Sequence, residues 1–291
     1  MKKNIFSAII IVMAVTVFVA GCKKETATNN NSTPTDTIPH TDTIVESMPK
    51  VAQVRHVYYD ITHKYTNAAL EELVSSDTTI TTTIERWTWD GDQLTSIEYI
   101  RNNESAYTVS YAHEGSIMTM TRSDRPNETN RFVFADGELD TLQVFTNSMK
   151  SKEFCFVRNG NNVEVTATTW SQGSQSGTII YNLTFGNGDI LTSSNESYGS
   201  ATTYTYTYGT VLNPYYLTDA SLSYLNLSRH IALTEDKHYV DSYGTDKNEH
   251  KEFVYTLNGD RIQSMRSETG SVVGKYVNAY IHLYEYTYLS D

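Results

Sequence analysis

Apolar and polar side chains alternate along most of this chain, in short segments separated by turn residues. Trp87-Thr88-Trp89-Asp90-Gly91 runs into Leu94 and Ile97, and Val109-Ser110-Tyr111 passes Glu114-Gly115 into Ile117. Phe132-Val133-Phe134 then passes Asp136-Gly137 into Leu139 and Leu142. A period of two closed by a Gly-containing turn is the pattern of a β-hairpin. Successive strand side chains point to opposite faces, and Gly and Asn accept the positive φ that a tight turn needs. The unit recurs at Phe154-Cys155-Phe156 with Asn159-Gly160, at Leu183-Thr184-Phe185 with Asn187-Gly188, and at Phe253-Val254-Tyr255 with Asn258-Gly259. Tyr204, Tyr206, Tyr208 and Gly209 form a weaker copy. From last aromatic to last aromatic the step is about 22–23 residues, too short for a repeated helical pair. Two strands per unit predict an all-β antiparallel meander of about 14 or more strands. A sheet that wide, apolar on one face, must curl into an open or closed barrel to hide its edges and that face. The polar connectors near Arg101 to Ala106, Arg122 to Asn130 and Thr168 to Gly177 are expected to be longer, variable loops at the end opposite the Gly turns.

Alternation lapses between Asn213-Pro214 and Lys237. There Leu217, Ala220, Ser221, Tyr224 and Leu225 follow helical spacing, which predicts a short helix near 217–228 or a long crossing loop. At the start of the chain the pattern is different again. Lys2 and Lys3 precede an apolar run from Ile5 that ends at Phe18-Val19-Ala20-Gly21-Cys22. A run this short, closed by small residues, reads as a signal peptide over 1–21 cleaved before a lipid-bearing Cys22, because a spanning helix needs roughly 20 apolar residues. Residues 22–50 are rich in Thr, Asn, Ser and Pro and read as a flexible tether, leaving 51–291 as one β-repeat domain. The expected address is the cell envelope, anchored to the outer membrane by lipid (palmitate) on Cys22, displayed at the surface or, as the alternative, held at the periplasmic face.

Charge narrows the partners. The chain carries 22 basic and 34 acidic residues; losing Lys2 and Lys3 with the signal leaves 20 against 34, a formal charge of −14. Such a surface repels nucleic acid. Cys155, between two phenylalanines, reads as a small apolar residue rather than a catalytic thiol. His56, Asp60 and His63 read as positions on an exposed strand, and no spacing of His, Cys or acids points to a metal or a cofactor. No nucleophile elbow or phosphate-cradling loop appears, so no catalytic residue is assigned, although a pair of carboxylates meeting in space could still serve a hydrolase. The rows Tyr204-Tyr206-Tyr208 and Tyr284-Tyr286-Tyr288 read as one buried sheet face whose hydroxyls need partners or water, hence a partly wet groove. Trp170, beside the polar run Ser171 to Gly177, is the candidate ligand-binding residue, an indole face able to stack on a sugar ring.

Two resemblances rest on these motifs. The hairpin units, aromatic-x-aromatic-(Asp or Asn)-Gly-x-Leu, are distantly similar to the YD-type repeats of large secreted bacterial proteins, with Gly137-Glu138-Leu139 and Gly259-Asp260-Arg261-Ile262 approximating that motif. From about Val51 to Asp291, including the Asn213-Pro214-Tyr215-Tyr216 lapse, the chain resembles Bacteroidetes-type lipoproteins of uncharacterised function with a porin-like β fold. That resemblance implies a fold and an address, and no activity. Asp36-Thr37-Ile38 and Asp42-Thr43-Ile44 resemble the O-glycosylation signal of the same envelopes, making Thr37 and Thr43 candidate acceptors. The expected function is a lipid-anchored binding or accessory module for glycan, peptide or lipid, with an outer-membrane complex as a candidate partner. The alternatives are a structural scaffold, a transmembrane β-barrel or a hydrolase. Cys22→Ser is expected to abolish palmitate labelling and release the protein from the membrane fraction; unchanged labelling would contradict the lipid assignment.

Overall fold

The computed structural model describes residues 49–197, 200–218, 227–240 and 244–289. They form an all-β meander of sixteen antiparallel strands that closes into a barrel. The first eight strands are β1 (Val51–Tyr65), β2 (Leu73–Asp90), β3 (Gln93–Arg101), β4 (Glu104–Glu114), β5 (Ile117–Arg122), β6 (Arg125–Ala135), β7 (Glu138–Thr146) and β8 (Met149–Asn159). The remaining eight are β9 (Asn162–Ser171), β10 (Ser174–Gly186), β11 (Asp189–Ser197), β12 (Ser200–Leu212), β13 (His230–Val240), β14 (Asp246–Asn258), β15 (Arg261–Val273) and β16 (Tyr276–Tyr288). Each strand pairs with its sequence neighbours, and β1 closes the ring on β16, from Val51 opposite Tyr288 to Lys64 opposite Tyr276. The expected all-β repeat is therefore present, and it is closed.

The Gly turns gather at one end. Asp136-Gly137 and Asn187-Gly188 have both central residues at positive φ, the two-residue hairpin turn that matches strand twist. The opposite end departs from the sequence expectation of longer loops. Asn102-Asn103, Asn147-Ser148 and Gln172-Gly173 are likewise two-residue turns with positive φ at both positions, and the polar residues around them belong to strands. Main-chain pairing needs no apolar face, so the ladder continues past the core as a hydrated ribbon and polarity misleads about loop length. The expected helix near 217–228 falls largely on 219–226, outside the described residues.

The core lies inside the barrel. Ile97, Phe132, Leu142, Val165 and Leu183 are buried to 2% exposure or less, and with Trp87, Tyr111, Phe154 and Phe253 they form one continuous apolar cluster. The chain after β12 turns into this interior. Tyr215 packs edge-on against Trp87 at 5.5 Å and against Tyr286 at 6.5 Å, and Tyr111 donates to the Thr218 carbonyl at 2.6 Å. Its two ends are tied to the Gly-turn end by polar groups that are buried and paired. Asn213 Nδ2 donates to the Ser228 carbonyl, and the Ile190 amide donates to Ser228 Oγ. Tyr208 lies 2.9 Å from that same Oγ, while buried Asp189 accepts from the His230 amide and meets its Nδ1 at 2.7 Å. One half of the lumen is thereby filled.

The outward face is polar and charged. The outward-facing positions carry the pairs Arg55–Glu285, Arg86–Glu98, Arg266–Glu268 and His250–Asp236. Apolar residues such as Val157 and Val254 stand among them, and an outward apolar patch of Val57, Ile61, Ile80, Ile100, Ile281 and Leu283 spans the four adjacent strands β16, β1, β2 and β3. A bilayer-spanning barrel needs an apolar band about 25 Å tall around its whole circumference, because unpaired charge in hydrocarbon costs several kcal/mol. The Gly-turn half of this barrel is apolar inside, and charged pairs interrupt the apolar patches of its outer face. Phe132→Ala is expected to lower unfolding stability by about 3–5 kcal/mol, whereas Val254→Ser on the outer face changes it by less than about 0.5 kcal/mol. Denaturant unfolding of both variants checks this assignment of faces.

Candidate functional site

The open half of the lumen holds an aromatic stack built by barrel closure. On the inward face of β1 lie Val54, His56, Tyr58 and Asp60, directly opposite Tyr286, Tyr284, His282 and Tyr280 of β16. Residues facing each other across a pair are close enough for rings to meet. His56 stacks on Tyr284 with centroids 4.1 Å apart and planes 4° apart, and lies 5.3 Å from His282 with planes 10° apart. His56 Nε2 and His282 Nδ1 are 3.1 Å apart, one ring donating to the other. Tyr58 continues the row, 4.9 Å from His282 and 6.3 Å from Tyr280. Burial holds His56 near a pKa of about 4, helped by the neighbouring His282, and His282 is lowered by burial and by the charge of Lys251. Both imidazoles are neutral at pH 7, so they act as hydrogen-bonding rings rather than charges.

Beside this row is an open cavity of about 520 Å³. It is lined by His56, Tyr58, Tyr280 and His282, by the hydroxyls of Thr81, Thr83 and Thr269, and by Arg101. These residues lie on the inward faces of five adjacent strands, β15, β16, β1, β2 and β3. The volume is within the range of small-molecule sites, about 300–1,000 Å³, and barrel mouths are common places for them. One residue row deeper than Thr83 is Glu85, 7% exposed, which accepts from Trp87 Nε1 at 3.2 Å and from the Tyr215 hydroxyl at 3.1 Å. Burial raises its pKa to about 7, the two hydrogen bonds opposing the shift. Their own burial above all, with the neighbouring Glu85 charge as a smaller cause, drives the Tyr215 and Tyr286 hydroxyls well above their ordinary range and Tyr284 up to about 12. The carboxyl therefore joins the inserted segment to the barrel wall beneath the cavity.

The structure does not bring Trp170 to this cavity. It lies on the outward face of β9, with the Lys150 ammonium 4.6 Å from its ring centre. Cys22, Thr37 and Thr43 lie outside the described residues. His56 and Asp60 do share a face, as strand geometry requires, but His56 is half-buried in the stack rather than exposed. Among the described residues no group of three or more His, Cys, Asp or Glu could hold a metal ion. Sequence reasoning missed His56, Tyr58, Tyr280, His282 and Arg101. A signal was present, since Tyr280-x-His282-x-Tyr284-x-Tyr286-x-Tyr288 extends the tyrosine row backwards at the same period.

The raised pKa of Glu85 has a defined effect on stability. The unfolded carboxyl loses its proton near pH 4.5 and the folded one near 7, so stability falls as pH rises across that window and is level above it. The loss is on the order of 3 kcal/mol. His56 acts in the opposite sense, its lowered pKa removing stability as pH falls from 6.5 towards 4. The difference between Glu85→Gln and wild type isolates the carboxyl. It is expected to rise in favour of the variant between pH 5 and 8; a flat difference by denaturant unfolding would contradict the assignment.

No known family model and no curated protein matches the chain. Among solved structures it is similar to a porin-like protein from Bacteroides uniformis ATCC 8492, with a TM-score of 0.52 at 11% identity over 83% of this chain and all of the other. A porin-like protein from Bacteroides vulgatus ATCC 8482 gives 0.48 at 10% identity over 84% of this chain and all of the other. At such identity the likeness to the first concerns architecture: the chain has the fold of a porin-like β-barrel.

Proposed function

We propose that this protein is a lipid-anchored binding module of the cell envelope, attached through Cys22 to the outer membrane and displayed at the surface, which captures a small ligand in the open half of its lumen. The observation that carries the reading is the stacked His56, His282, Tyr58 and Tyr280 row beside a cavity of about 520 Å³. Flat aromatic faces, neutral imidazole nitrogens and threonine hydroxyls bind a ring that is apolar on its faces and hydroxylated at its edge, which is the chemistry of a glycan. A scaffold without a ligand would instead fill this half with side chains, as the Gly-turn half is filled. The charged outward face speaks against a transmembrane barrel, and the signal and lipid cysteine supply another way of holding the protein at a membrane.

The test is a screen of envelope glycans and peptides against the mature protein and two variants. Tyr58→Ala is expected to weaken the selected ligand by about tenfold or more, the worth of one good stacking contact, while Trp170→Ala leaves affinity within about twofold. Loss in Trp170→Ala with none in Tyr58→Ala would overturn the cavity as the binding site.

A further inference from the structure

Charge at the cavity narrows the ligand further, an inference that rests on the binding reading above. No carboxylate lines the cavity, and its one formal charge is the guanidinium of Arg101. Elsewhere on the barrel Arg55, Arg86, Arg122, Arg158 and Arg266 each hold a carboxylate oxygen within 3.5 Å. Arg101, like Arg131 and Arg229, has no carboxylate at ion-pair distance among the described residues, and it is the one of these three that lines the cavity. Its charge acts weakly on the Tyr107 hydroxyl. On the other side of the stack Lys251 of β14 acts on His282, so cations flank the cavity from β3 and from β14. Asp60 acts on the Tyr58 hydroxyl from outside the lining and disfavours a densely charged anion such as a phosphate chain. The lining thus combines one fork-shaped donor, suited to a bidentate carboxylate, with ring faces and three hydroxyls.

We infer that the ligand is an acidic saccharide, a uronic-acid-containing oligomer whose carboxylate is held by Arg101 and whose ring lies against Tyr58 and Tyr280. Arg101 then selects charge, and the rings supply affinity that does not depend on charge.

Isothermal titration of the full mature protein with trigalacturonic acid, its methyl ester and the neutral galactotriose separates the two contributions. The free acid is expected to bind about tenfold or more tightly than the ester, the worth of one charge-assisted bidentate contact. Arg101→Gln is expected to erase that preference, bringing acid and ester to the same affinity, and Arg101→Lys to keep part of it. Thermal melts matching wild type show that the variants are folded, as expected for an exposed side chain. Equal binding of acid and ester by wild type, or a preference that survives in Arg101→Gln, overturns the inference. Tyr58-dependent binding of a neutral glycan alone would also overturn it, while leaving the cavity as the binding site.

Discussion

Closure between the first and last strands is the constraint on which the rest of this structure depends. β1 is hydrogen-bonded on both sides, to β2 and to β16, so among the described residues the sheet has no first or last strand with an open edge. The same ladder sets His56 against Tyr284 and Tyr58 against His282, residues more than 220 positions apart in the chain. A slip of one residue would turn every ring of that row to the outer face, exposing apolar surface and leaving the charged pair Arg55–Glu285 facing the core. Register here is set by burial, and the candidate site is a product of that register.

The division of the lumen follows from what sixteen strands enclose. A circular barrel of that number is wide enough for an aqueous channel, and side chains alone fill only narrower ones. In this chain the segment entered at Asn213-Pro214 carries Tyr215 into the interior, where Trp87 and Tyr286 pack against it. The buried groups at its ends are paired, Asn213 with Ser228 and Asp189 with His230, as burial of polar atoms demands. Glu85 is the costly member, a carboxyl whose protonated form is favoured by burial. Stability at the Gly-turn end and vacancy at the other are two results of one topology.

Much of this fold was legible in the sequence. Alternating aromatics and Gly turns at a repeat of about 22–23 residues report hairpins, because period-two burial and positive φ are local requirements. Closure was legible only as a need to hide edges, since pairing of β1 with β16 has no local signature. The polar stretches near Asn102, Ser123 and Gln172 read as loops because hydration of both faces looks the same in a ribbon and in a loop. Trp170 stood out as a large ring near polar residues, yet strand parity places it outward. Arg101 carried no signal at all. Its significance comes from standing at the cavity without a carboxylate partner, which only the folded neighbourhood reveals.

The central claim is that ligand enters the open half of the lumen and meets the histidine pair between β1 and β16. Histidine-selective NMR during titration with a bound saccharide tests it most directly, because the chain has only eight histidines and the described ones lie in distinct surroundings. The resonances of His56 and His282 are predicted to shift together and saturably, while His113, His238 and His250 stay in place. Saturable shifts confined to the latter three, with His56 and His282 unmoved, would place the site elsewhere and contradict the account.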